Sequence, residues 1–479
     1  MSSRGMAFIK ESLDQYQEEK IRTDLVVKPF IPPGAIQEAR SFPIYRESNK
    51  KIYVPRFYAR DEFKIDIVPK VEEHQRTDAS YMNFTGELRP YQKNIVSSYM
   101  KTSSGCGLLE IPCGRGKTVM GLHIISQLKL KTIVIVHKEF LLNQWVERIQ
   151  QFLPNARIGK IQGKIIDIVD KDIVIGMLQS LSMKDYDKDV FSRFGLTIID
   201  ECHHICAEVF SRSLFKIVTP YMLGLSATME RKDRLSFVFK MFLGDIVYTE
   251  KREANNNVNV RCVRYRNDDD EEYSKTIYNF KGQTHYAVMI KKLCEYEYRT
   301  EMILRVLEDV LKESRENNYG QQIMILAHNR SLLRELYEKI EERKYGSVGF
   351  YVGGMKEKDL KQTETKEIIV ATYAMAEEAL DIKTLSALIL ATPKTDVTQA
   401  VGRILRTKHC FPLIVDIVDQ HDIFEKQWVK RRRFYKKCGY NMKEIVSNKY
   451  HNRFHEWSDV STSTKKKKEL LHGNCYLSI

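Results

Sequence analysis

Ile111-Pro112-Cys113-Gly114-Arg115-Gly116-Lys117-Thr118 is the stretch that decides the fold. Gly107-Leu108-Leu109-Glu110-Ile111 leads into it as a short buried strand, and Val119-Met120-Gly121-Leu122-His123-Ile124-Ile125 leaves it as the start of a helix. Strand, loop and helix are the setting that a phosphate-binding loop requires. Gly114 and Gly116 let backbone N–H groups close around phosphate oxygens, and the helix end adds its positive dipole. Lys117 pairs with the outer phosphates, and Thr118 offers a hydroxyl to Mg2+. The general pattern has a glycine where Ile111 stands, so the loop alone does not settle the matter.

The run Ile199-Asp200-Glu201-Cys202-His203-His204 adds what the loop lacks. Thr197-Ile198-Ile199 is β-branched and delivers two carboxylates to a strand end. There Asp200 can hold Mg2+ and Glu201 can orient or deprotonate the attacking water. A solvated strand terminus is the plainer reading of Asp-Glu, and it loses weight once the loop stands beside it. The pair of motifs implies hydrolysis of a nucleoside triphosphate.

At 479 residues the chain exceeds one hydrophobic core and should divide into two or three domains. It is 43% hydrophobic and 29% charged, as an ordinary globular protein is, and it has no apolar run of membrane-spanning length. The start has no secretory h-region, so an intracellular protein without a membrane partner is expected. Nine scattered cysteines fit reduced thiols better than a disulfide framework. Cys202-His203-His204-Ile205-Cys206 lacks a second ligand pair at zinc-finger spacing, so zinc is not expected there. Lys and Arg number 77 against 63 Asp and Glu, a formal charge of +14, which favours a polyanionic partner.

Along the chain, residues 1–76 read as a small α+β accessory domain. It should hold a helical stretch over 8–20 and a hairpin from 41–45 and 52–58 turned through 47–50. Residues 77–250 alternate strands and helices, with 132–137, 173–175, 197–199 and 222–226 assigned to a parallel sheet. The charged run 266–272 marks a linker over 251–297. A second alternating domain covers 298–442, with a long helix over 298–315 and strands at 323–327, 348–351, 367–371, 387–391 and 413–418. The fold class is therefore α/β, two tandem domains of parallel sheet flanked by helices. The tail 443–479, with four lysines at 465–468, reads as basic and flexible.

Gln399-Ala400-Val401-Gly402-Arg403-Ile404-Leu405-Arg406 places two arginines three apart, on one helix face, where both can point at a phosphate. This is an arginine-finger pattern; two solvated arginines are its plainer reading. The ordered set of motifs resembles the superfamily-two helicases and translocases. Leu88-Arg89-Pro90-Tyr91-Gln92 is similar to the adenine-reading element, 111–118 to motif I, and Val136-His137-Lys138 with Gln144-Trp145 to motif Ia. Asp200 to His203 is similar to motif II, Ser226-Ala227-Thr228 to motif III, and Ala327-His328-Asn329-Arg330 to motif IV. Ala371-Thr372 through Glu378-Ala379-Leu380-Asp381 resembles motif V, and 399–406 motif VI. Asp-Glu-Cys-His, the Pro-Cys-Gly before Gly-Lys-Thr, Gly353-Gly354-Met355-Lys356 and 226–233 are similar to the XPB-like branch. The compact helicases of large cytoplasmic DNA viruses, of the poxvirus transcript-release type, and the phage UvsW-type enzymes share further features. Among these are 52–58 and the basic stretch 430–440. Ala379 departs from the glycine that motif V usually carries.

The resemblance implies two RecA-like domains and an ATP- and Mg2+-dependent motor with 3′ to 5′ polarity. It places Lys117, Asp200, Glu201, Gln399, Arg403 and Arg406 at the chemistry. Arg89, Gln92, Pro112, Cys113, Gly114, Arg115, Gly116, Lys117, Thr118 and Asp381 would hold the nucleotide, with Thr118 and Asp200 on the metal. Lys138, Gln144, Gly163, Gln179, Ser180, Gly353, Gly354 and Thr372 would hold nucleic-acid phosphates without reading sequence. The cluster 430–437 would add salt-dependent affinity. DNA is the expected partner, with RNA as one alternative and an ATP-gated clamp that displaces a transcription complex as another. A monomer is expected. Its setting would be a viral cytoplasmic replication compartment or the virion, or the nucleus for a cellular enzyme.

Overall fold

The computed structural model describes residues 5–31, 40–450 and 457–460, except positions 79, 113, 188, 207, 232, 251–256, 379–381, 406 and 408. The chain folds as two compact units, Met1–Lys251 and Arg252–Ile479. Each is built on an eight-stranded sheet.

In the first unit the strand order is Ile246–Thr249, Cys106–Glu110, Tyr221–Ser226, Leu196–Asp200, Thr132–Val136, Ile173–Met177, Ile158–Gln162 and Ile165–Asp167. Every neighbouring pair is parallel except the last, a hairpin whose edge strand has all its residues exposed. Runs such as Thr132–Val136 and Ile173–Met177 are buried at every position, because helices cover both faces of a parallel sheet. Apolar clusters lie on both sides: one gathers Trp145, Ile149 and Val134, the other Leu108, Phe239 and Leu243.

The amino-terminal segment adds to that second cluster through Ile21, Ile52, Val54 and Phe57. Its local structure differs from expectation. Met6–Ile9 is a strand pairing Phe8 with Ile52, and the helix begins only at Gln15, where Asp14 forms a capping box with Gln17. The expected hairpin keeps its turn, but the strand facing Lys51–Val54 is Arg46–Glu47. Phe42–Pro43 pairs instead with Val26–Val27. Pro55 ends the strand and caps a helix, Arg56–Phe63, so Tyr58 is helical. Buried Arg56 then reaches Thr219 O at 2.9 Å.

The second sheet runs Val348–Tyr351, Ile368–Thr372, Gln322–Ala327, Leu385–Leu390, Leu413–Asp419, Asn259–Tyr265, Asn441–Val446 and Ser458–Asp459. Again all pairs are parallel except the last. Two regions are corrected here. The expected linker supplies Asn259–Tyr265, an inner strand between Leu413–Asp419 and Asn441–Val446. The expected tail supplies most of Asn441–Val446 together with Ser458–Asp459; residues 461–479, with the lysines at 465–468, lie outside the described residues. The acids of 266–272 mislead because they are capping groups as well as charges: the Asp270 side chain accepts from Glu272 N at the start of Glu271–Ser274.

Strand Leu413–Asp419 also carries two buried carboxylates on opposite faces. Asp416 binds Arg431 of helix Asp422–Lys437 at 2.7 Å, and Asp419 binds Arg299 of helix Glu297–Glu316 at 2.6 Å. Each pair fastens a helix to its face of the sheet. Among the described residues no helix is long and apolar enough to cross a membrane.

Candidate nucleotide and nucleic-acid site

The loop after Cys106–Glu110 turns on Gly114 and Gly116, whose φ values of 80° and 84° favour glycine. Gly116 caps helix Lys117–Leu128, and a Cβ there would stand 2.5 Å from Gln92 Nε2. Gln92 itself is buried. Its Nε2 donates to Arg115 O at 3.0 Å, and its Oε1 accepts from Arg89 N at 3.0 Å. The expected adenine reader is thus also a strut under the phosphate loop. Arg115 extends over the Tyr91 ring at 4.0 Å and bonds Glu250 at 2.7 Å through Nε. Pro112 is half-buried at the loop's start, and Cys113 lies outside the described residues.

Strand Leu196–Asp200 brings its acids to the same edge, since Leu225 of Tyr221–Ser226 pairs with both Asp200 and Leu109. Lys117 Nζ donates to Glu201 Oε1 at 2.5 Å. Asp200 accepts from Trp145 Nε1 at 2.9 Å and from Glu201 N at 3.0 Å. Glu201 holds φ at 48°, a left-handed conformation that costs a non-glycine residue about 1–3 kcal/mol and clusters at functional sites. That turn aims it back at Lys117 and at Ser226 Oγ, 3.3 Å away. Ser226 Oγ also contacts His203 Nδ1 at 2.8 Å, joining motifs II and III.

One ammonium serves two carboxylates. Burial, and then the Glu201 charge, push Asp200 above the usual carboxylate range. Burial pushes Glu201 upward too, but the Lys117 ammonium and then His203 outweigh it, leaving Glu201 below the usual range. Asp200 is a buried acid whose hydrogen-bond donors are neutral, with half-buried Thr118 on the neighbouring helix start. A divalent cation would supply the missing charge, so these residues fit one. Beside them the rings of His137, His204 and His203 pack in tilted contact, with neighbouring centroids 4.1 and 4.2 Å apart. Burial lowers His137 to about 4 and His204 to about 3.

Most of the expected nucleic-acid contacts of this unit leave the same sheet edge. Lys138 caps helix Glu139–Phe152, and half-buried Gln144 lies within it. Gly163, at the hairpin tip, donates its N–H to Ser180 Oγ at 2.9 Å, while Gln179 is exposed. In the second unit Gly354 has φ 87° and open space around it, and Arg330 bonds Gly353 O. Thr372 ends strand Ile368–Thr372, and Gln399 is half-buried in Thr398–Arg403.

Arg403 departs from the finger pattern. It is buried, and its Nε donates to Ala376 O at 2.8 Å while Nη2 reaches Glu377 O, so it braces the motif V helix Tyr373–Glu378 from within. Arg406, Ala379 and Asp381 lie outside the described residues. Of the basic stretch 430–437, Arg431 is withdrawn into its ion pair with Asp416. Lys426, Lys430, Arg433 and Lys437 form an exposed stripe at helical spacing. Trp145 is the residue that sequence reasoning places least well. Motif Ia would set it beside nucleic acid, yet its indole is fully buried and bonds the motif II acid.

The family model for the type III restriction enzyme res subunit matches residues 85–231. The chain is 34% identical over 468 residues to a protein of Acanthamoeba polyphaga mimivirus named "Putative ATP-dependent RNA helicase L396", covering 95% of this chain and 88% of that one. It is 24% identical to the DNA 3′-5′ translocase XPB2 of Sulfurisphaera tokodaii, over 69% of this chain and 81% of the other. The structure of Saccharomyces cerevisiae Dbp5 bound to RNA and ADP BeF3 superposes with a TM-score of 0.51 at 11% identity, covering 76% of this chain and 92% of that one. That likeness shows the fold, two tandem RecA-like domains. The chain belongs to the superfamily-two helicases, and its relatives imply ATP-dependent helicase activity.

Proposed function

We propose that the protein is a nucleic-acid-stimulated ATPase that tracks along DNA in the 3′ to 5′ direction. The observation that carries the ATPase is the Lys117, Asp200 and Glu201 set at one sheet edge, with Glu201 in a left-handed turn. In this reading, residues 77–250 bind ATP and 298–442 form the second motor domain. Lys117 leaves Glu201 for the outer phosphates when nucleotide binds, which frees the Glu201 carboxylate to take a proton from the attacking water. Asp200, held by Trp145, and Thr118 would hold Mg2+, which neutralises phosphate charge when bound. The family resemblance would give Gln399 and Arg406 roles in the chemistry, Gln399 through its amide and Arg406 through its charge, and Arg403 braces the motif V helix. Asp381 and the adenine-side residues Arg89 and Gln92 hold the nucleotide.

Lys138, Gln144, Gly163, Gln179, Ser180, Gly353, Gly354 and Thr372 would grip the phosphates of the tracked strand. A DNA translocase among the relatives supports DNA. The viral source of other relatives is in keeping with a role in a viral cycle, which this reading takes to be transcript release or DNA remodelling. The mimivirus relative's name favours RNA as the second reading. The test is ATP hydrolysis with single-stranded DNA, duplex DNA or RNA, with Lys117→Ala and Glu201→Gln as blanks. Stimulation by DNA that both substitutions abolish is expected. Stimulation by RNA alone moves the substrate to the transcript, and no stimulation leaves a clamp.

A further inference from the structure

Part of the charged segment that reads as a linker folds into a built element. Asn267 Nδ2 donates to Tyr296 OH, which donates to Asp270 Oδ2, both at 2.5 Å, and Lys292 Nζ donates to Tyr273 O at 2.8 Å. Beyond these anchors the chain makes a tight hairpin over 277–285. Tyr278 bridges Thr284, Asn279 N donates to Gln283 O at 2.7 Å, and His285 N donates to Ile277 O at 2.8 Å. The Asn279 side-chain oxygen accepts from Lys281 N at 2.9 Å and Gln283 N at 3.0 Å, so the turn is fixed from inside. At its tip stands Phe280, 82% exposed, with Tyr278 62% exposed behind it. A single exposed apolar residue is ordinary, but a hydrogen-bonded hairpin that holds two aromatic rings in solvent is a presented surface.

Its charge and position say what the surface meets. No acidic residue occurs between Tyr273 and Cys294, and Lys275 and Lys281 are exposed on either side of the tip. The base of the element sits on the edge of the second sheet that carries motifs IV, V and VI. Tyr273 OH lies 3.2 Å from Tyr265 O and 3.3 Å from Asp419 Oδ1, each the last residue of its strand. Tyr286 OH donates at 3.3 Å to Pro393 O, between Leu385–Leu390 and Gln399. His328 and Thr372 leave this same edge of the parallel sheet.

We propose that Phe280 is a strand-separating wedge, stacking on the base pair at a duplex junction while Lys275 and Lys281 hold the flanking phosphates. The proposal rests on reading the site as a nucleic-acid motor. Aromatic faces stack on any base, which suits an element that must meet every sequence the motor crosses.

The experiment uses the full chain on a forked DNA duplex with a 3′ single-stranded tail. Phe280→Ala should slow strand displacement about tenfold, the loss of one base–aromatic stack, and move single-strand-stimulated ATP hydrolysis by no more than about twofold. Phe280→Trp should restore displacement. A photoreactive benzoylphenylalanine at position 280 should cross-link to junction nucleotides. Wild-type displacement by Phe280→Ala, equal loss of ATP hydrolysis and displacement, or cross-links confined to sites away from the junction would each overturn the wedge. So would a wild-type chain that hydrolyses ATP on DNA without displacing a strand, an outcome that leaves the motor reading intact. Absence of nucleic-acid stimulation, against the Lys117→Ala blank, removes the motor reading itself and the wedge with it.

Discussion

Asp200 and Asp419 occupy equivalent places in the two units: each is the last residue of an inner parallel strand, and each is buried. Their partners differ. Asp419 takes two bonds from Arg299, at 2.6 and 2.8 Å, and its charge is cancelled inside the fold. Asp200 receives an indole N–H and a backbone N–H, while the nearby ammonium of Lys117 goes to Glu201. A strand-end carboxylate with a private guanidinium is a fastening, whereas one left short of positive charge is prepared for a ligand that brings it. Burying a charge without a partner is expensive, so such a site persists only where function retains it.

Exchanging the two fates experimentally tests the comparison most severely. Glu201→Gln should cut nucleic-acid-stimulated turnover about a thousandfold, the scale of a lost general base, and lower the unfolding midpoint in urea by less than Asp419→Asn does, because its partner Lys117 is not fully buried. Asp419→Asn should do the reverse. It strands Arg299 in the core and should lower stability by about 3–5 kcal/mol in urea titrations, while turnover at low temperature persists. If Asp200→Asn destabilises as much as Asp419→Asn, the distinction between the two acids fails.

Two smaller effects sharpen the picture of the first site. Gly116→Ala should weaken ATP binding and cost about 1–3 kcal/mol, from a left-handed backbone and a clash with Gln92, readable by isothermal titration and by thermal melting. His137 and His204 have folded pKa values lowered to about 4 and about 3, beneath the ordinary histidine value. Below about pH 6.5 the unfolded chain therefore binds protons that the folded chain refuses, and stability falls as pH drops. The loss is at most about 1.4 kcal/mol per pH unit for each group, less for their partial exposure. Melting scans between pH 7 and pH 5 should show the fall, and His204→Asn should reduce it. The smallest effect belongs to the stripe on Asp422–Lys437: Lys430→Gln should reduce the salt slope of DNA binding by about one, measured by fluorescence anisotropy, with stability unaffected.

The sheets are legible where strands are continuous apolar runs, as in Thr132–Val136 and Leu413–Asp419, because burial on both faces demands such runs. Asn259–Tyr265 is not legible. It alternates Arg261 and Arg264 with buried Val260 and Cys262, and a charged run follows it, so its composition matches a linker. The arginines find Glu313 and Glu425, which only the fold brings near. The phosphate loop and its acids can be read locally, since the chemistry lies within a few adjacent residues. Trp145 against Asp200, Gln92 beneath Arg115, and Arg403 turned inward to Ala376 cannot, since each joins segments between 23 and 55 residues apart.

By itself the sequence determined that this is a nucleotide-driven protein of two α/β units, because strand-loop-helix spacing, glycine conformational freedom and paired carboxylates are local properties of the chain. The tertiary structure decided which charges remain available for chemistry. Arg403 and Arg431 resemble candidate ligands for phosphate in one dimension, and the folded chain gives each of them a buried acceptor. Phe280 falls in a stretch that reads as a linker, and the hairpin around it holds the ring in water. Burial and partnership depend on segments distant in sequence, so neither can be read from any one of them.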